Sequence, residues 1–73
     1  MWIANRKRLE FTNVQTGAKI LISNEEIILW DAPQSGASWH IAKVNGHDDA
    51  MKKYAEILEI LQLKQLLLVE YEE

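Results

Sequence analysis

Residues 27–44 read Ile27-Ile28-Leu29-Trp30-Asp31-Ala32-Pro33-Gln34-Ser35-Gly36-Ala37-Ser38-Trp39-His40-Ile41-Ala42-Lys43-Val44. Two runs rich in β-branched and aromatic side chains flank a Pro-x-x-Gly loop, a pattern that predicts an antiparallel hairpin. With Pro33 at the first and Gly36 at the last position of a four-residue loop, Trp30 falls opposite Trp39, Ile28 opposite Ile41 and Glu26 opposite Lys43. An aromatic pair, a β-branched pair and an opposite-charge pair then share one face, each contributing roughly 0.2–1 kcal/mol. Ile27, Leu29, His40, Ala42 and Val44 take the other face. A slip of one residue would exchange the two sets.

Outward from this hairpin, Leu9-Glu10-Phe11-Thr12-Asn13-Val14 alternates like a strand, Gln15-Thr16-Gly17-Ala18 reads as a turn, and Lys19-Ile20-Leu21-Ile22 returns, with Phe11 near Ile22. Trp2 and Ile3 extend the first strand backwards or form a loose tail. Ser23-Asn24-Glu25-Glu26 is a polar interruption, either a capped helical turn or a bend. Asn45-Gly46 turns the chain into a helix that opens at His47-Asp48-Asp49, with Asp48 as N-cap or first-turn acid. Met51, Tyr54, Ala55, Leu58 and Leu61 recur at helical spacing and predict its buried stripe, widened by Ile57 and Ile60. Residues 66–71 read as a last strand because Val69 and Tyr71 favour extended backbone. The competing reading continues the helix, since no Gly or Pro stops it.

The expectation is one α+β domain spanning residues 1–73: a three- or four-stranded antiparallel β-meander with one C-terminal amphipathic helix packed on one face. A chain of 73 residues without cysteine must take its stability from its apolar core or from that core together with oligomerisation. No apolar run approaches the roughly 18 residues of a membrane span, and the start lacks a signal-peptide core, so a cytoplasmic protein is expected.

The net charge of −3 is unevenly spread: Arg6, Lys7, Arg8 and Lys19 face only Glu10 in the first third, and the other acids follow. Such a cluster marks a nucleic-acid contact or an ordinary solvated surface. His40 and His47 are the only histidines, and neither sits in a metal-ligand spacing. No phosphate loop or nucleophile elbow is present, and no pair of carboxylates is set to converge. No enzyme activity, cofactor, metal or small-molecule substrate is therefore expected.

One helix covers one face of such a sheet, while both hairpin faces are apolar. The expected function is thus a non-enzymatic protein–protein interaction or regulatory module, a homodimer or a small regulator of a larger complex, with a contact patch of Trp30, Trp39, Ile28 and Ile41. The alternatives are a nucleic-acid-binding protein using Arg6, Lys7, Arg8 and Lys19, or an inhibitor presenting an acidic surface to a nucleic-acid-processing enzyme.

Overall fold

The computed structural model describes residues 1–31 and 35–72. Six strands and one helix follow in the order β1 (Trp2–Asn5), β2 (Glu10–Asn13), β3 (Lys19–Ile22), β4 (Glu26–Asp31), β5 (Ala37–Lys43), α1 (His47–Leu63) and β6 (Leu67–Tyr71). They build one mixed sheet in the spatial order β5-β4-β3-β2-β1-β6. The α+β class and the single helix are as expected, and so is a strand at the end of the chain. The sheet is larger than the three- or four-stranded meander, and it is not purely antiparallel, because β6 runs parallel to β1.

The extra strand at the start comes from the basic triplet. Asn5 Oδ1 accepts a hydrogen bond from the Arg8 backbone N–H at 3.0 Å, and Leu9 adopts a left-handed φ of 53°. Together they reverse the chain within residues 5–10, so Trp2 and Ile3 belong to a separate strand. A leucine in this conformation costs roughly 1–2 kcal/mol; its side chain lies in the core, which offsets that cost. At the next turn Asn13 Oδ1 accepts from the N–H groups of Gln15 and Thr16. The resulting register sets Phe11 opposite Ile20, one pleat away from the expected Ile22. Ser23 closes the third turn: its Oγ accepts from the N–H groups of Glu25 and Glu26. The polar interruption is therefore a hairpin turn.

The helix starts after Gly46, whose φ of 90° and ψ of 179° lie in a region that only glycine visits readily. No atom lies within 4 Å of where a Cβ would sit. Gly46→Ala is therefore expected to cost about 1–3 kcal/mol through the backbone alone, read as a lower urea midpoint with an unchanged slope. Asp48 and Asp49 occupy the first turn, and Asp49 Oδ2 accepts from the Asn45 N–H at 2.9 Å.

The helix ends without glycine or proline. Leu66 N–H donates to the Leu61 carbonyl and Gln65 N–H to that of Gln62, while Gln65 takes a φ of 57°. This is the Schellman arrangement, with glutamine in the position glycine usually fills.

The core lies between the helix and one sheet face. Ala4, Leu9, Phe11, Ile22, Ile27 and Val44 meet Ala50, Tyr54, Leu58 and Leu61, with Trp2, Ile20, Ile57 and Leu67 at its margin. The helix stripe is rotated from its expected phase: Ala50 is buried, whereas Met51 and Ala55 are exposed. Met51 and Ile60 widen the apolar arc on opposite flanks, so sequence spacing alone did not set the centre of the stripe. Ring stacking sets it, with the Phe11 and Tyr54 centroids 4.9 Å apart.

Candidate functional site: the β4–β5 hairpin and the basic turn

Strands β4 and β5 pair with Glu26 opposite Lys43 and Ile27 opposite Ala42. A β-bulge then shifts the ladder, so that Ile28 faces His40, Leu29 faces Trp39 and Trp30 faces Ser38. The Glu26–Lys43 pair is as expected; the Trp30–Trp39 and Ile28–Ile41 pairs are not formed. Ile41 is the extra residue of the bulge. Because side chains alternate along a strand, one extra residue sends the two tryptophans to opposite faces. The Pro33–Gly36 loop reading falls partly on residues 32–34, outside the described residues.

The consequences for the patch follow from this register. Ile27 and Leu29 share the helix side with Ile20 and Ile22, to which they pair. Ile28 and Trp30 stand on the face without the helix, paired with Leu21 and Lys19 and half-buried by their neighbours. Trp39 lies beside Leu29 on the helix side and is still 48% exposed; Ile41 is 56% exposed. Every residue of β5 after Ala37 is exposed.

The patch thus exposes apolar side chains on both faces and along one edge. His40 Nδ1 contacts the Glu26 carboxylate on the open face. Beside them Glu25, Glu26, His40, Ile41, Ala42 and Lys43 line an open depression of about 290 Å³.

The basic cluster is not a free arm. Arg6 Nη2 lies 2.9 Å from Glu70 Oε2, and its Nε is 3.8 Å from Glu72. Arg8 and Lys19 both approach Glu10, at 4.0 and 3.9 Å. The excess of positive charge in the first third of the chain is therefore largely met by acids that the fold brings alongside. Lys7 and Arg8, with Asn5 and Tyr71, border an open depression of about 590 Å³. Tyr71 joins them because β6 pairs with β1 at Asn5; the sequence carries no signal for a contact between segments so far apart.

A second grouping was not foreseen. The Tyr54 hydroxyl donates to Glu70 Oε2 at 2.8 Å, and the Arg6 guanidinium lies 5.5 Å from the Tyr54 ring centroid. Burial, then the hydrogen bond and charge of Glu70, push the Tyr54 phenol well above the ordinary tyrosine range, while Arg6 opposes the shift. The group ties the β1–β2 turn, the helix and β6 together. The Tyr54 hydroxyl and the Arg6 guanidinium both serve Glu70 Oε2, which suits a structural tie.

Among the described residues no three or more His, Asp or Glu side chains converge as metal ligands. No buried side-chain polar atom there lacks a partner, so none is held ready for a ligand in the core. Among the described residues no helix is long and apolar enough to cross a membrane. Compared with known proteins, the chain matches no family model, no curated protein and no solved structure.

Proposed function

We propose that this chain is a small non-enzymatic protein–protein interaction or regulatory module whose contact patch is the β4–β5 hairpin. The observation that carries the reading is the exposure of large apolar side chains where the helix does not reach: Trp39 and Ile41 on β5, next to the half-buried Ile28 and Trp30. Tryptophan in such a setting is the residue type most enriched among interface hot spots. The bulge splits the patch between two faces, so a partner that engages both tryptophans wraps the end of the sheet. The nucleic-acid alternative draws less support, since Arg6, Arg8 and Lys19 already face carboxylates.

The test compares wild type with a Trp30→Ala/Trp39→Ala variant, as bait on a column and in sedimentation. Loss of self-association, or of a stoichiometric partner, is expected in the variant while its far-UV circular dichroism stays unchanged. Wild-type protein that binds neither itself nor any partner, or a double variant that binds as well as wild type, overturns the reading.

A further inference from the structure

The interaction-module reading leaves the partner open; resting on that reading, we propose that the partner is a second copy of this chain, with β5 of one copy running antiparallel to β5 of the other. The edge itself argues for a strand as occupant. β5 is the longest strand and ends the sheet, so its outer N–H and C=O groups have no strand beside them among the described residues. Backbone groups of that kind are satisfied by another extended chain.

Edge strands are usually protected by short length, charges, proline, a bulge or a covering element. In β5 the only charged residue is Lys43, at its end. The bulge at Ile41 bends the far half but leaves Ala37–His40 in regular pairing with β4. The opposite edge differs in length: β6 has five residues against the seven of β5, and a short edge offers less backbone to a second strand.

The choice of a second copy comes from self-matching. A two-fold axis through Trp39 sets Trp39 against Trp39 and Ser38 against His40, within the regular stretch before the bulge, and it leaves the two Lys43 residues at opposite ends of the contact. No like charges meet, and a closed isologous contact forms from one patch. On the helix side, Leu29 and Trp39 of one copy then continue into Trp39 and Leu29 of the other. That apolar row spans four strands and covers the ledge that α1 leaves open. On the opposite face, the two His40 side chains keep their Glu26 contacts.

The chain has no cysteine, which makes the pairing directly testable. Wild type is expected to sediment as a dimer at micromolar concentration. Trp39→Lys puts a charge at the axis and is expected to weaken dimerisation at least about thirtyfold, with the monomer still folded by circular dichroism. A Ser38→Cys/His40→Cys variant, whose thiols face each other across the axis, should form a covalent dimer on oxidation. Leu68→Cys, at the other edge, should not. A dimer that survives Trp39→Lys, or one that cross-links through Leu68→Cys and not through the double variant, overturns the β5 pairing and leaves the interaction-module reading standing. A strictly monomeric wild type overturns the pairing as well. The broader reading then stands or falls on capture of a different protein that Trp30→Ala/Trp39→Ala releases.

Discussion

Replacing Tyr54 with alanine is expected to lower the free energy of unfolding by about 3–5 kcal/mol. Tyr54 is 1% exposed, and three attachments meet at its side chain: the stacked Phe11 ring, the Arg6 guanidinium and the Glu70 carboxylate. Truncation opens a ring-sized cavity under the helix and removes a hydrogen-bond donor from Glu70. Total stability for a domain of this size is of the order of 5–10 kcal/mol, so the variant is expected to be close to half unfolded in mild urea. Tyr54→Phe keeps the ring and is expected to lose only about 1 kcal/mol, because Arg6 still serves Glu70. Urea unfolding followed by tryptophan fluorescence reads both values. A Tyr54→Ala variant as stable as wild type would show that the helix is anchored elsewhere.

Alkaline solution should destabilise the protein through the same phenol. Its pKa is raised in the folded state above the ordinary value of 10.0 by burial and by Glu70. The sign follows from proton binding: above that ordinary value the unfolded chain releases the Tyr54 proton while the folded chain keeps it. The stabilising contribution is thus fully present below pH 10 and declines as pH rises toward the folded-state value, at about 1.4 kcal/mol per pH unit. Unfolding free energies of wild type and Tyr54→Phe, measured in parallel from neutral pH upward, should converge and then cross as pH rises. Two curves that stay parallel above pH 10 would refute the assignment.

The expected and observed folds agree where the signal is local. The turn at Asn13–Ala18, the hairpin of residues 26–43 and the helix from His47 each announce themselves by turn residues followed by a change of hydrophobic period. The final strand was legible in the β-branched and aromatic residues Val69 and Tyr71. Three features were not legible, each for a physical reason. The separate first strand depends on Leu9 taking a left-handed conformation, for which leucine gives no sign in sequence. The helix stop depends on Gln65 doing the same in a Schellman end, so no glycine marked it. The bulge at Ile41 preserves the Glu26–Lys43 pair while moving everything toward the loop by one residue, so a charge match that was correct led to an aromatic match that was not.

Of the candidate site, the residues were legible and their arrangement was not. Trp30, Trp39, Ile28 and Ile41 all lie outside the fully buried core, yet the single face expected of them is two faces and an edge. The basic cluster was legible as composition, and its partners Glu70 and Glu72 were invisible from it, because they come from the far end of the chain.

The placement of β6 beside β1 has a bearing on how the molecule comes into being. Strands β1 to β5 pair each with its neighbour in sequence, so a nascent chain can zip them up through short loops as they leave the ribosome. The sixth strand has no such neighbour: the helix carries it back across the sheet to meet β1. Until residue 71 has been synthesised, the outer side of Trp2–Asn5 stays open and Arg6 waits for Glu70. The docking of β6 is therefore expected to be the late, slow step of folding and to depend on the helix already lying on its face, and the chain is most vulnerable to proteases and stray strand pairing in that interval.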